Sequence, residues 1–314
     1  MLSWGEWRGA LLALSGFLVV VFAVIIVQPG LPGELLLQSL RFHLIACGIG
    51  LAAALALAGA RWRGLLLLMV MLGFGAHSAT YVLDFQARRV DYASAPLAQF
   101  RFLSFNVLTG NPRSEELVEA IIANPPDVAL IMETPGIESH LDRLAEVFPY
   151  RAGCEDTVVC DISLHSRYPF EEVSVADLPP LGRERLIIGR INVDGQRVSV
   201  AGIHLTKPYY DNVAEVELWH IDRALDGIEG PLVLAGDFNS ASWTEPMAWI
   251  GREQGLASGP TQPATWPVRL GPLGVPIDNV FTRGAAQLIS LESGESYGSN
   301  HRPLWATVGL YGAD

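Results

Sequence analysis

Positive charge is scarce in the C-terminal two thirds of this 314-residue sequence. Residues 100–314 contain 15 Lys and Arg against 29 Asp and Glu, a formal charge of −14, and Lys207 is the only lysine of the chain. Proteins bind nucleic acid without sequence preference mainly by neutralising its phosphates with Lys and Arg. The composition therefore disfavours nucleic acid as a substrate, although a local basic cleft would still permit it.

Cysteine is also rare, with three residues in the chain, Cys47, Cys154 and Cys160. No Cys-x-x-Cys spacing or histidine pair accompanies them, which argues against a structural zinc site. Cys154 and Cys160 lie six residues apart in a polar stretch, and in an oxidising compartment they would bridge a short loop. Two free thiols are the alternative.

Charged side chains are missing from three apolar runs near the N-terminus, residues 10–29, 42–60 and 64–82. Each run is about as long as a helix that crosses a bilayer. A cleavable signal peptide would explain the first run but not the other two. We therefore expect residues 1–90 to form a membrane region with three transmembrane helices. Buried core helices of a soluble domain are the alternative.

The arginines next to these runs indicate an orientation. Arg8 precedes the first run, and Arg61 and Arg63 lie in the short loop before the third. Short loops rich in Arg and Lys stay in the cytoplasm. We therefore expect a multi-pass protein of the cell membrane whose C-terminal domain lies outside the cytoplasm. Three arginines at the other ends of the runs argue against this orientation.

A polar connector over residues 84–98 leads to a domain that we place at residues 99–314, about 215 residues and enough for its own core. Apolar runs and period-two patterns predict strands in this domain at 101–107, 127–133, 158–165, 186–193, 198–205, 232–237, 276–281 and 304–308. Period-3.6 patterns and capping residues predict helices at 114–123, 138–148 and 211–226.

The clearest of these strands is 232–237, which delivers Asp237 and, two residues later, Asn239 to its C-terminal end. At this spacing the two side chains can point toward one ligand or one metal. An anion at the end of a buried strand is unfavourable unless it is paired or bound to a cation. A simple turn is the alternative, because Gly-Asp-x-Asn is also good turn chemistry.

Other strands or strand-like motifs carry a polar residue of metal-binding or acid–base type at one end, namely Asn106, Glu133, His204, Asp278 and His301. Any one of them is explained by capping or turn formation. Together they are not, because binding sites of layered sheet folds gather at strand ends. The sequence therefore predicts one site built from these residues.

Seven short motifs stand in a recognisable order along the chain. They are Ser-Phe-Asn106, Met-Glu133, His165-Ser-Arg-Tyr-Pro169, Gly202-Ile-His-Leu205, Gly236-Asp-Phe-Asn239, Ile277-Asp278 and Ser299-Asn-His301. In these motifs the chain resembles the endonuclease/exonuclease/phosphatase superfamily over about residues 100–310, as a membrane-anchored member of bacterial type. The resemblance implies an α/β, DNase I-like fold in which two packed β-sheets form a sandwich flanked by helices. It also implies cleavage of phosphoester bonds with Mg²⁺ or Mn²⁺.

The resemblance implies a role for each matching residue. Asp237 corresponds to the residue that positions or deprotonates the attacking water, and Asn239 to a donor to the phosphate. His301 corresponds to the histidine at the scissile phosphate, with Asp278 as the carboxylate that orients it. His204 corresponds to the second histidine of the site. A base for water and an acid for the leaving oxygen together suit an in-line displacement.

The metal is expected at Glu133, with Asn106 beside it. The last motif of the family usually reads Ser-Asp-His, and Asn300 replaces that aspartate here. An asparagine offers a neutral carbonyl oxygen, so Asn300 is expected to bind the metal more weakly than an aspartate would. Arg167, Lys207 and Arg302 are expected to meet the substrate phosphate, or else to be surface charges.

These expectations combine into a membrane-anchored, metal-dependent phosphodiesterase or phosphomonoesterase that acts on a lipid head group or a small phosphoester. An extracytoplasmic endonuclease or exonuclease is the second hypothesis. The third is a catalytically retired domain that serves for binding or sensing, and the replacement at Asn300 is the one feature in its favour.

Overall fold

A helical N-terminal region leads into a two-sheet domain in the computed structural model, which describes residues 3–155, 158–208 and 212–312. The α-helices are α1 (Trp4–Val27), α2 (Glu34–Ser39), α3 (Arg41–Leu57), α4 (Arg61–Ala87), α5 (Ser114–Ala123), α6 (Leu141–Leu144), α7 (Val213–Asp226) and α8 (Glu245–Glu253). Two 3₁₀ helices cover Thr134–His140 and Val268–Leu273.

The described strands form two mixed six-stranded sheets. In spatial order, the first sheet contains β11 (Ala286–Ser293), β12 (Leu304–Leu310), β1 (Ala98–Asn106), β2 (Val128–Met132), β4 (Ile162–Ser166) and β3 (Tyr150–Ala152). The second contains β5 (Phe170–Leu178), β6 (Leu181–Val193), β7 (Gln196–His204), β8 (Leu232–Asp237), β10 (Asp278–Arg283) and β9 (Ala257–Ser258).

Successive residues of the central strands pack on opposite faces of their sheets, as the period of two requires. In β1, Phe102 joins the core between the two sheets, whereas Leu103 packs with Leu117 of α5. In β8, Val233 joins the same inter-sheet core, whereas Leu234 packs in the cluster that contains α7. The layers are therefore helix, sheet, sheet and helix. This confirms the predicted two-sheet sandwich flanked by helices.

Strand directions bring the predicted site residues to one edge of the sandwich. β1 runs parallel to β2, and β7 runs parallel to β8, so the C-terminal ends of these strands share an edge within each sheet. β10 runs antiparallel to β8, and Asp278 at its start pairs with Asp237 at the end of β8. Nδ2 of Asn106, at the end of β1, lies 3.1 Å from Oδ2 of Asp237, at the end of β8, so these edges of the two sheets lie next to each other.

Some predicted bounds differ from the structure. The helix expected over 138–148 is the 3₁₀ helix Thr134–His140 followed by the single turn α6, because Gly136 holds the chain against Leu108, whose carbonyl oxygen would lie 2.2 Å from a Cβ there. Residue 211, expected to begin the helix now seen as α7, lies outside the described residues.

Three transmembrane helices were expected, but two described helices are long and apolar enough to cross a membrane, α1 with 24 residues and α4 with 27. The run at 42–60 forms α3, which has 17 residues and is shorter than the helices counted as long enough to cross a membrane. The helix ends at Leu57 because the chain turns at Gly59, where φ is +82°. Length and composition alone therefore support two candidate spans and one shorter apolar helix.

The segment predicted to be a polar connector from residue 84 is partly helical, since α4 continues to Ala87. Its Phe85 is fully buried and stacks on Phe281 of β10, with the ring centroids 4.9 Å apart. The glycine at position 251 of α8 provides the space for this ring, because a Cβ on Gly251 would lie 2.4 Å from the Phe85 ring. The end of α4 is thus part of the core of the two-sheet domain.

Because of this packing, we expect Phe85→Ala to lower the free energy of unfolding by about 3–5 kcal/mol, as for other large-to-small changes in a core. Leu83, 58 % exposed on the same helix, is the matched control, and Leu83→Ala should change stability by less than about 0.5 kcal/mol. Denaturant unfolding of the detergent-solubilised full chain measures both. Equal losses for the two variants would contradict the assignment of Phe85 to the core.

Candidate active site

Asp237 lies at the centre of the candidate site, at the C-terminal end of β8. Gly236 before it has a φ of +143°, and a Cβ there would lie 1.9 Å from the carbonyl oxygen of Ile203 in β7. A glycine is needed for this close approach and this backbone conformation. The approach keeps the buried Asp237 level with His204, its partner in the parallel register.

His301 and Asp278 form a hydrogen-bonded pair on one side of Asp237. Nδ1 of His301 lies 2.8 Å from Oδ2 of Asp278, and Nε2 lies 3.8 Å from Oδ2 of Asp237. Burial favours the neutral imidazole, but the charges of Asp278 and Asp237 outweigh burial and raise the pKa of His301 to about 9. His301 is therefore a cation at neutral pH and can donate from Nε2.

A second histidine–carboxylate pair lies on the other side of Asp237. Nδ1 of His204 lies 2.7 Å from Oδ2 of Asp161, and Nε2 lies 3.7 Å from Oδ2 of Asp237. Burial acts to lower the pKa of His204, but the hydrogen bond and charge of Asp161 outweigh it, so that the pKa is raised. Both imidazoles thus turn one nitrogen toward their own carboxylate and the other toward Asp237.

Asp161 is a site residue that the sequence reasoning missed. It directly precedes β4, which runs antiparallel to β2, so the start of β4 lies at the same edge as the end of β2. A search for carboxylates at strand starts as well as at strand ends would have identified Asp161. Arg185 also faces Asp161, with Nε 3.7 Å from Oδ2, and is itself paired with the buried Glu217.

The expected bridge between Cys154 and Cys160 is formed. Cys160 is the residue directly before Asp161, and both are buried. The bridge closes the loop that enters β4, and it therefore fixes the chain next to the carboxylate that orients His204.

The charge on Asp237 depends on all of these neighbours. Burial and the charge of Asp278 raise its pKa, and the two imidazoles and the Asn239 N–H act in the opposite direction without cancelling the rise. A carboxylate with a raised proton affinity is a stronger base than an ordinary aspartate. Asp237 is thus suited to accept a proton from, or to orient, a water molecule.

Glu133 and Asn106 connect the first sheet to Asp237. Nδ2 of Asn106 lies 3.2 Å from Oε1 of Glu133 and 3.1 Å from Oδ2 of Asp237. Burial acts to raise the pKa of Glu133, but the N–H of Thr109, which donates to Oε2 at 2.6 Å, and the nearby His204 outweigh it and keep the pKa below its usual value. Glu133 is therefore anionic at neutral pH.

The donor atoms around Asp237 suit a hard divalent cation. Asp237, Asp278 and His301 each place one donor atom within 4.8 Å of the others. Oδ1 of Asp278 is buried and has no hydrogen-bond partner among the described residues, which is unfavourable unless a cation satisfies it. Because His301 is already bonded to Asp278, the carboxylate oxygens, including those of Glu133, are the better ligands for Mg²⁺ or Mn²⁺.

Two of the three asparagines expected at the site, Asn239 and Asn300, differ in exposure. Asn239 is buried with a φ of +49°, and its Nδ2 donates to the carbonyl oxygen of Leu205 at 2.7 Å. One amide proton of Asn239 therefore donates to Leu205, and the other is available to a ligand. Asn300 is exposed, in contrast to the buried carboxylates, and its contact with a metal remains a prediction.

Two of the three basic residues expected at the substrate follow the site histidines closely along the chain. Lys207 is exposed three residues after His204. Arg302 directly follows His301, and its Nε is buried without a hydrogen-bond partner among the described residues. A buried guanidinium nitrogen without a partner favours an anion nearby.

Arg167 lies at the opposite edge of the sandwich and is not brought to the site. Its Nη1 lies 3.0 Å from Oδ1 of Asp127, which precedes β2, whereas Glu133 follows that strand. The two ends of this segment are about 20 Å apart at the usual rise per residue. We therefore correct the expectation of a substrate contact for Arg167 to a surface ion pair.

The match to a known family spans the candidate site from Asn106 to His301. The model of the Endonuclease/Exonuclease/phosphatase family matches residues 103–301. The chain belongs to this family. Its members are hydrolases that act on phosphoester bonds and generally use divalent metal ions, which agrees with the carboxylates and imidazoles at the sheet edge. No curated protein matches the sequence significantly.

Solved structures with the same fold come from several organisms. D. rerio TDP2, complexed with a single-strand DNA product, is 17% identical with a TM-score of 0.57, over 68% of this chain and 99% of that one. An endonuclease/exonuclease/phosphatase from Beutenbergia cavernae is 20% identical with a TM-score of 0.56, over 69% and 72%. Sphingomyelinase C from Streptomyces griseocarneus is 18% identical with a TM-score of 0.50, over 67% and 99%. At these identities the likeness establishes the fold.

If His301 and Asp278 act as one unit, each single change to Ala should lower kcat by about 10²–10⁴-fold, and the double change should lower it little further. The reason is that Asp278 acts through the imidazole that it orients. A double-mutant cycle on phosphoester hydrolysis measures this coupling. Losses that add in free energy would show that the two residues act independently.

Proposed function

We propose that this chain is a membrane-anchored, divalent-metal-dependent phosphoesterase that hydrolyses a phosphodiester or phosphomonoester outside the cytoplasm by in-line attack of water. The observation that carries the proposal is the buried Asp237 carboxylate between two carboxylate-bound imidazoles. This arrangement supplies a base and two imidazole hydrogen-bond donors within one small volume.

Glu133, with Asn106 and Asn300, would hold Mg²⁺ or Mn²⁺, since carboxylate and amide oxygens are the ligands that these cations prefer. When bound, such a cation neutralises phosphate charge and polarises its ligands. Asn106 has a second role, because its Nδ2 lies within hydrogen-bond distance of both Glu133 and Asp237. It fixes the two carboxylates relative to each other before any substrate binds.

Asp237 positions the attacking water and accepts its proton, since its raised pKa strengthens it as a base. His301 is cationic at neutral pH and donates from Nε2 to a phosphate or leaving oxygen. His204, held by Asp161, offers a second donor on the opposite side of Asp237. Asn239 contributes its free amide proton to the phosphate.

The acidic domain favours a lipid head group or small phosphoester over nucleic acid as the substrate. Exonuclease or endonuclease activity is the second candidate, supported by the structural likeness to TDP2, which was solved with a single-strand DNA product. The 29 acidic residues against 15 basic ones in residues 100–314 argue against it. A retired binding domain is disfavoured because both histidine–carboxylate pairs are assembled.

The membrane anchor is proposed for α1 and α4, because 22% of the most apolar stretch of α1 and 17% of that of α4 are buried within the molecule. Core helices of a soluble protein would be mostly buried. α3 packs with them, and the Arg8 side chain near the start of α1 hydrogen-bonds to Ala58 at the end of α3. This contact supports the proposal that the helices run in alternating directions, which would carry residues 88–314 to the side opposite the N-terminus.

Glu133→Gln should lower activity by about 10³-fold or more at saturating Mg²⁺ with the fold intact, because it removes the charge that binds the cation. Hydrolysis of bis-p-nitrophenyl phosphate, nucleic acids and phospholipids by the full chain, with Mg²⁺ and with EDTA, measures the wild type and variant. Glu138→Gln, on the 3₁₀ helix that follows Glu133, is the control. Variant activity within about twofold of wild type would contradict the metal assignment.

The proposed orientation predicts that an alkaline phosphatase reporter fused after residue 314 is active, because that reporter folds only outside the cytoplasm. A fusion after residue 60, in the short loop between α3 and α4, should be inactive and serves as the control. An inactive C-terminal phosphatase fusion, together with fluorescence of a cytoplasmic reporter at the same position, would show that the orientation is the opposite one.

A further inference from the structure

One segment at the edge of the site combines exposed apolar side chains with contacts to the site. This segment, the rim loop, comprises residues 265–275. The N–H of Val268 donates to the carbonyl oxygen of Asn300 at 3.3 Å, and the hydroxyl of Thr265 accepts from the N–H of Asp278 at 3.2 Å. The rim loop therefore lies directly beside Asp278 and Asn300 of the candidate site.

The rim loop is also fixed to the helices of the proposed anchor. Nε2 of His43, in the first turn of α3, lies 2.8 Å from the carbonyl oxygen of Leu273. Phe42 beside it packs edge-on against Trp243, with the ring centroids 4.9 Å apart. The apolar run of α3 begins at Phe42. The rim loop is thus held at the level where the apolar part of α3 begins, which is the expected surface of the bilayer.

The composition of the rim loop differs from that of the rest of the domain. No acidic residue occurs between Glu253 and Asp278, although residues 100–314 carry 29 of them. Leu270 is 51 % exposed and Leu273 is 70 % exposed. Arg269, also exposed, is the only charged residue of the loop. Exposed leucines beside a single cation are the chemistry of a surface that enters an interface with phosphate head groups.

We propose that the rim loop enters the bilayer that holds the N-terminal helices, and that the site takes its phosphoester from a lipid head group in the same leaflet. The proposal rests on the proposed function for the reaction itself. The bilayer is the surface within reach, because the loop is attached to α3 where its apolar run starts. With Leu270 and Leu273 in the acyl region, the exposed Asn300, which the rim loop contacts, lies at head-group level.

The depth of the loop is measured on the full chain with Cys47→Ser, which removes the one free cysteine among the described residues. Leu273→Cys carries a fluorophore, and the protein is reconstituted in vesicles of phosphatidylcholine and phosphatidylglycerol that contain lipids with an acyl-chain nitroxide. The label at 273 should be quenched several-fold more by these lipids than the same label at Val173→Cys. Val173 is 47 % exposed on β5, the outermost strand on the far edge of its sheet.

Quenching at 273 no stronger than at 173 would overturn the bilayer contact. A label at 273 that is protected from both the lipid nitroxide and aqueous iodide would overturn it as well, in favour of a protein partner or a second copy of the chain. Neither readout depends on catalytic activity, so the depth is decided even for an inactive preparation.

Activity then tests the substrate class. The double change Leu270→Asp and Leu273→Asp should leave hydrolysis of bis-p-nitrophenyl phosphate within about twofold and lower hydrolysis of phosphatidylglycerol in the same vesicles by about tenfold or more, because insertion of charge into the bilayer is unfavourable. Val173→Asp should change neither rate.

Equal lipid hydrolysis by the double variant and the wild type would overturn the inference and leave the proposed function in place. Wild-type hydrolysis of the soluble ester without any lipid hydrolysis would overturn the lipid substrate. Failure of the wild type on both substrates with Mg²⁺ would overturn the proposed function, and the quenching result would still decide the bilayer contact.

Discussion

The buried carboxylate of Asp237 is the constraint on which the rest of the site depends. It lies at the end of a fully buried strand, where an uncompensated anion would destabilise the fold. The two imidazoles and the amide of Asn106 compensate it, and Asn106 comes from the other sheet. The two sheets are therefore joined at their edge by the group that would activate water. The contacts that stabilise the sandwich at this edge are therefore the same contacts that arrange the site.

The sequence predicted those parts of the molecule whose signals are local. β2 and β8 are runs of five and six buried residues, and such runs stand out in any sequence. The residues that follow or end them, Glu133 and Asp237, are carboxylates, so a site gathered at strand ends was predicted from their positions in the sequence. The bridge between Cys154 and Cys160 was likewise indicated by its spacing in a polar stretch.

Parts that depend on tertiary packing were not predictable from local patterns. β5 is an edge strand with mostly exposed residues, so it lacks the apolar run that marks a buried strand. Asp161 stands at a strand start, and its role depends on a histidine 43 residues away. Phe85 lies after the apolar run of α4, in the segment predicted to be a connector, yet it is fully buried in the core of the domain. Arg167 has the residue type of a phosphate contact, but it follows the end of β4 that lies away from the site.

Direct attack of water, activated at Asp237, is the central claim, and the stereochemistry at phosphorus tests it most directly. A substrate diester with one configuration of a chiral phosphorothioate is hydrolysed in ¹⁸O-labelled water, and the configuration of the product is determined. A single in-line displacement by water predicts inversion. Retention would contradict the account, because it requires two displacements and a covalent phosphoenzyme, for which His204 or His301 would be the nucleophile.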